Sequence, residues 1–274
     1  MLKQRILYDR PVSAELIDVH IESRAEDARI GRITINNPHK LNTLRTQLMK
    51  DFVRIVETLP QESLRAVIVT GAGDKAFIGG ADIDEMSQLD AGSSEAFITR
   101  LHDCCEAVRR LPVPVIARIQ GYALGGGLEL AAACDIRIAA DTAIFGMPEV
   151  KLGIPSVIEA ALLPSLVGWG RAREILLLGE NFSAINAERW GLVQRVVPRA
   201  ELDDEVERCI ASILETGPHA LRLQKELIRQ WEDLPMQDAI RAGIRSFVES
   251  WKTDEPSRRM QEFRAQRRRA RESK

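Results

Sequence analysis

Twice in the middle of this chain, an apolar run with strand character closes on glycines and opens into a helix-like stretch. The first instance is "LRAVIVTGAGDKAFIGGADIDEM", starting at Leu64, with the helical pattern "SEAFITRLHDCCEAVRRL" after it. The second is "VPVIARIQGYALGGGLELAAACD", starting at Val113, with a proline near its start, where a missing N–H is tolerated. Strand-like runs alternating with helical ones predict a layered α/β protein. The rest of the first 200 residues fits that frame. "AELIDVHIES" alternates apolar and polar residues, and "RIGRITINNP" follows it as a second strand. In "LNTLRTQLMKDFVRIVETL", Leu44, Leu48, Phe52, Ile55 and Val56 fall on one helical stripe. "CDIRIAADTAIFGMPE" predicts two more short strands. Beyond Glu201 the pattern becomes three successive amphipathic helices, which sets a boundary between a region 1–200 and a helical region 201–274.

Composition narrows the class of function. The chain has 274 residues, 45% hydrophobic and 28% charged, enough to bury a sizeable core. A net charge of −2 gives no argument for nucleic acid or for a membrane surface. No apolar run approaches the roughly 20 residues that span a bilayer. "MLKQRILYDR" has no secretory character, and the final "ESK" is not an address signal. Cys104, Cys105, Cys134 and Cys209 show no C-x-x-C spacing and read as reduced, buried thiols of a cytoplasmic protein. The basic tail "RRMQEFRAQRRRARESK" reads as a solvated helix end, or as a surface for an anionic ligand or a neighbouring subunit.

The chemistry gathers at the glycines. "AFIGGADIDEM" and "GYALGGGLELAAACD" each join a strand to a helix, where the first turn carries unpaired N–H groups that favour negative charge. Two such junctions facing each other make an oxyanion hole; taken singly, each is equally a tight turn. Neither matches a phosphate-binding loop or a dinucleotide fingerprint. Glu129 enters an otherwise apolar helix, either as an acid favoured by the helix dipole or as a buried carboxylate with a task. Glu149, in "FGMPEVKLGIP", is either an exposed loop acid or its partner. Two carboxylates around one cavity can hold a water, one taking a proton and the other giving one. No G-x-S-x-G elbow is present, and His20, His39, His102 and His219 are too scattered for a metal site.

"NPHKLNTL", "AFIGGADIDEM", "IQGYALGGGLELAAACDIRIA", "FGMPEVKLGIP" and "LLLGENFSAINAERWGLVQRVVP" occur in that order. Together they resemble the enoyl-CoA hydratase/isomerase (crotonase) family, from about residue 15 to about residue 200, with a family-like helical part after it. The resemblance implies a spiral of ββα units followed by a helical C-terminal region that covers the active site and assembles trimers or dimers of trimers. It implies an acyl-CoA thioester as substrate, drawn from fatty acid metabolism, with coenzyme A arriving as part of it and no separate cofactor or metal. It assigns the oxyanion-hole N–H groups to Ala81 and Gly126, and the water-holding glutamates of a hydratase to Glu129 and Glu149. Lys40, Leu41, Asn42, Ala81, Asp82, Ile83 and Gly125 match the family's substrate- and CoA-binding segments.

One segment departs from the family pattern. Where typical hydratases read G-x-I-P-G-A-G-G-T-Q, this chain reads "LGIPSVIEAALLP", one residue shorter before the proline. Ser156, Val157 and Ile158 then stand in the region that lines the acyl pocket, and Glu159 reads as an acid at a helix start. The implied reaction is addition of water across the 2,3 double bond of an enoyl-CoA. The altered segment keeps double-bond isomerisation, thioester hydrolysis and C–C cleavage open, with a non-catalytic acyl-CoA-binding role behind them.

Overall fold

The computed structural model describes residues 14–25 and 28–272; "MLKQRILYDR" and the last two residues of the "ESK" end lie outside the described residues. In chain order, the first elements are β1 (Ile17–Ala25), β2 (Ala28–Ile35), α1 (Thr46–Thr58), β3 (Leu64–Gly71), β4 (Ala76–Ile78), α2 (Ile83–Met86) and α3 (Ser94–Arg110). Next come β5 (Val115–Ile119), β6 (Tyr122–Leu124), α4 (Gly126–Ala133), β7 (Ile136–Ala140), β8 (Ile144–Gly146) and α5 (Leu163–Leu178). Then follow β9 (Asn181–Ser183), α6 (Ala184–Arg189), β10 (Arg195–Val197), α7 (Leu202–Leu214), α8 (Pro218–Asp233), α9 (Met236–Ser250) and α10 (Glu255–Glu272).

The strands form two sheets. The larger runs β1-β2-β3-β5-β7-β10, parallel except for the β1–β2 hairpin; the smaller runs β4-β6-β8-β9, parallel except for β9. Three times in succession a strand of the large sheet is followed by a short strand of the small sheet and then by helix: β3 to β4, β5 to β6, β7 to β8. That repetition is the spiral of ββα units expected of the family. It also corrects the simpler reading of the residues, in which the runs beginning at Leu64 and Val113 supply one strand each. Each supplies two, in different sheets, because the chain turns a corner between them. The corner is tied by buried amides. Gln120 Nε2 shares its protons among the carbonyls of Gly71 (2.7 Å), Ala76 (2.7 Å) and Gly73 (3.2 Å). Asn42 Nδ2 donates to the carbonyls of Ala72 and Ala76, both at 2.9 Å.

Burial follows the residue pattern. All eight residues of β3 are buried, as expected of a strand covered on both faces. Leu48, Met49, Phe52, Ile55 and Val56 form the buried stripe of α1, which packs against α3. Leu44 is buried too, but lies just before the helix. All eight residues of α4 are buried, and buried Arg137 closes its C-terminal end, with Nη1 donating to the Cys134 carbonyl at 2.6 Å. The four cysteines are free and buried, as their spacing predicts.

The chain divides into two compact units between Cys209 and Ile210, within α7. In the second unit α8 packs on α9, and Trp231 Nε1 donates to the Ala239 carbonyl at 3.0 Å. The Glu255 carboxylate accepts from the first-turn N–H groups of His219 and Ala220, at 3.1 and 3.0 Å, which satisfies donors that α8 leaves open. Among the described residues no helix is long and apolar enough to cross a membrane.

Candidate active site

Strands β4, β6 and β8 are neighbours and parallel, so their C-terminal ends fall on one edge of the small sheet. The chain leaving β4 is Gly79-Gly80-Ala81-Asp82, that leaving β6 opens α4 at Gly125-Gly126, and that leaving β8 reaches Glu149. The first two segments lie side by side: a Cβ on Gly80 would stand 3.1 Å from the Leu124 carbonyl oxygen. Leu44 N–H donates to Gly80 O and Leu44 O accepts from Asp82 N–H, both at 2.8 Å. These two bonds straddle Ala81 and leave its own N–H facing the other way. Gly126 is the first residue of α4, where an N–H has no partner in the helix. Among the described residues neither N–H has a backbone acceptor.

All three consecutive glycines have a steric reason; a Cβ on Gly126 would stand 2.6 Å from Cδ1 of the buried Leu101. Gly125 sits at φ 51°, and a Cβ there would come 2.5 Å from Glu149 Oε1. The Glu149 carboxylate therefore closes directly over the backbone that enters α4. A Cβ on Gly127 would stand 2.1 Å from the Ile78 carbonyl oxygen, so α4 lies hard against β4. Between them, Gly126 presents its N–H.

The two glutamates meet here in different environments. Glu149 is half-buried in the short 3-10 turn Pro148–Leu152, and Ser156 Oγ donates to its Oε2 at 2.8 Å. Glu129 is buried in the first turn of α4, and its Oε1 accepts from the Ala160 N–H at 3.2 Å. Burial first, then the Glu149 charge, push the Glu129 carboxyl up to about 8, with Glu159 adding to the rise and the Ala160 N–H opposing it. At neutral pH Glu129 holds a proton beside Glu149. Unlike environments for paired carboxyls are how one fold separates an acid from a base.

The other residues singled out from the sequence are placed as follows. Lys40 and Leu41 lie at the 3-10 turn Pro38–Lys40; the exposed Lys40 Nζ is 2.5 Å from Asp84 Oδ2, and the Leu41 carbonyl accepts from Gly79 N–H at 2.8 Å. The loop thus clamps the segment that leaves β4. Asp82 is buried and caps α2, accepting from Glu85 N–H at 3.1 Å and from Arg45 at 3.2 Å. Burial raises its carboxyl, but those two donors outweigh it and hold it below the ordinary range. Its side chain is occupied, and so are its N–H, which Leu44 O accepts, and its carbonyl, which takes the Met86 N–H at 2.9 Å; the exposed Ile83 is what remains for contact with a ligand. Ser156 reaches Glu149, Val157 is exposed, and Ile158 packs partly against the core.

Glu159 is more than a helix-start acid. It stands in the first turn of the 3-10 helix Ile158–Leu162, but it is buried, and its Oε1 lies 2.8 Å from Nδ1 of the exposed His102 on α3. The sequence reading missed this pair. The signal available to it was a single glutamate where the family pattern has glycine.

The sequence and fold have close counterparts. A family profile described as Enoyl-CoA hydratase/isomerase matches residues 25–272. The short-chain-enoyl-CoA hydratase of Clostridium acetobutylicum is 35% identical over 251 residues, covering 91% of this chain and 95% of its own. The crotonyl-CoA hydratase of Syntrophomonas wolfei is 40% identical over 204 residues, covering 73% of this chain and 78% of its own. The crystal structure of an enoyl-CoA hydratase from Bacillus anthracis superposes with a TM-score of 0.85 at 32% identity, covering 90% of this chain and 96% of that one. With matches that span nearly its whole length in both sequence and fold, the chain belongs to the enoyl-CoA hydratase/isomerase family.

Proposed function

We propose that this protein is an enoyl-CoA hydratase, adding water across the 2,3 double bond of a 2-enoyl-CoA thioester. The observation that carries the reading is the unlike pair at the strand ends: a buried Glu129, its carboxyl pushed up to about 8, beside the half-buried Glu149, whose carboxylate closes over the glycines that open α4. The hydratase names of the Clostridium and Syntrophomonas relatives support it.

The chemistry follows from the geometry. The thioester oxygen is received by the N–H groups of Ala81 and Gly126. As the water oxygen bonds to C3, electron density moves through the conjugated system onto the thioester oxygen, where two preorganised donors stabilise it; one such donor is worth roughly 3 kcal/mol. Glu129 and Glu149 hold the water between them. Glu149 is the principal proton-transfer group: it takes the proton from the water and delivers one to C2, so that H and OH add together and both glutamates end as they began. Glu129 orients the water from its buried side. Nothing in this sequence of steps calls for a metal or a separate cofactor, since coenzyme A enters with the substrate. The segments around Lys40–Leu41, Ala81–Ile83 and Gly125 are its binding surface, and Ser156, Val157 and Ile158 border the acyl group.

Exposed apolar residues on one stripe of α9, among them Met236, Ile240, Ile244 and Phe247, support assembly into a homotrimer or dimer of trimers. The four free thiols support a cytoplasmic setting.

The test is loss of the conjugated thioester absorbance when the purified protein meets crotonyl-CoA. Glu149→Gln is expected to lower kcat at least about 100-fold while thioester affinity changes little. A pure protein that hydrates no enoyl-CoA overturns the reading. The departure at "IPSVIEA" favours one other class, a different family reaction on the same thioester. Isomerisation moves the double bond without incorporating solvent oxygen, and hydrolysis releases free thiol, so isotope labelling and a thiol assay separate them.

A further inference from the structure

The segment that departs from the family pattern touches both glutamates. Ser156 donates to Glu149, and three residues later the chain buries Glu159 and sends the next N–H, that of Ala160, to Glu129. Between them Ile158 adopts φ 40°, in the left-handed region that a β-branched residue enters only when its surroundings force it. Three bonds hold this turn: the Ala160 N–H is shared between the Val157 carbonyl (2.9 Å) and Glu129 (3.2 Å) on the α4 side, and Glu159 pairs with His102 on the α3 side. The remaining oxygen of Glu159, Oε2, is buried and has no nitrogen or oxygen partner; the weak donor beside the carboxylate is the Cys105 thiol. A buried carboxylate left half satisfied is costly, and a fold that needed only a tight turn would gain nothing from it.

We infer that Glu159, anchored by His102, is a positioning residue for Glu129, fixing the orientation and the proton of that glutamate from behind the site. The inference rests on the two-glutamate reading above. The ionisable groups around the cluster come from three directions. His102, Cys104 and Cys105 face Glu159 from α3, Glu129 faces it from α4, and Glu149 faces Glu129 from the end of β8. Burial first, then the Glu159 charge, drive the Cys105 thiol well above its ordinary range, so no thiolate competes within the cluster. His102 is exposed at its outer side and therefore links the buried pair to solvent.

Glu159→Gln keeps the shape and removes the charge. Relieved of a negative neighbour, Glu129 gives up its proton more readily, so the limb of the kcat–pH profile that reports it moves to lower pH. His102→Ala removes the anchor and lowers kcat about tenfold, with KM for crotonyl-CoA within about twofold, and His102→Gln, which keeps a donor, restores most of the loss. Superimposable pH profiles for wild type and Glu159→Gln, or full activity in His102→Ala, overturn the inference. Should Glu159→Gln fail to fold, the two substitutions at exposed His102 decide. Isotope-edited infrared titration of the Glu129 carboxyl, without substrate, separates this inference from the hydratase reading. A lower midpoint in Glu159→Gln supports positioning even if the wild type hydrates nothing, and an unchanged midpoint overturns it even if hydration is brisk.

Discussion

Glu129 is the ionisable side chain whose environment has the clearest measurable consequence. Its carboxyl titrates at about 8 in the folded chain against 4.5 for an ordinary glutamate. Between those values the folded chain holds a proton that the unfolded chain has released. Stability therefore falls as pH rises through that window, by at most about 1.4 kcal/mol per unit. Glu129→Gln abolishes the titration. The variant is expected to be more stable than wild type near pH 8, with the difference shrinking towards pH 5, read from denaturant midpoints at each pH. Activity should move the opposite way, because the residue that costs stability is the one proposed to hold the water. Stability and function pull apart at this position, as they often do where a charge is buried for chemistry.

At the level of elements, the decisive feature is the corner at which each long apolar run changes sheets. Gln120 ties that corner, and its Oε1 also accepts from the buried Thr70 hydroxyl at 3.2 Å. Gln120→Leu fills the space but takes the 2.7 Å donor from the buried Gly71 carbonyl and one acceptor from the Thr70 hydroxyl, while Ala76 keeps Asn42, and is expected to destabilise the protein by about 2 kcal/mol in chemical denaturation. It should also depress kcat in the fraction that remains folded, since β4 and β6 carry the two segments proposed to form the oxyanion hole beyond this point. The same corner marks where the sequence stops being legible. Long strands and helices announce themselves: β3 as an unbroken apolar run, α1 as a stripe. The Gly125–Gly127 run and Glu129 are conspicuous because flexibility and charge are unusual at the start of an apolar helix. Strands of three residues, such as β4 and β6, contain too little repeat to show a period of two, so each merged with its neighbour in the linear reading. The Glu159–His102 pair was hidden for a different reason. Its members are separated by 57 residues, and only the packing of the 3-10 turn on α3 brings them together.

For the molecule as a whole, the exposed stripe of α9 is the surface on which the proposed trimer or dimer of trimers is tested. Phe247, 65% exposed, lies on that stripe with Ile240 and Ile244. Phe247→Glu is expected to shift the mass measured by light scattering from trimer or hexamer towards monomer, leaving the secondary structure seen by circular dichroism intact. The three parallel strand ends have a consequence for how this chain can change. In the mechanism proposed above, the groups that receive the thioester oxygen are main-chain N–H groups, present whatever the side chain, so substitution has difficulty deleting them. The proton-handling groups are side chains and are easily exchanged. On that mechanism, capture of the thioester is inherited with the fold, while the reaction performed on it is open to revision at a few positions. A variant stripped of Glu149 should still seize its ligand and hold it unreacted, a ready starting point for a new activity or for a protein that only binds.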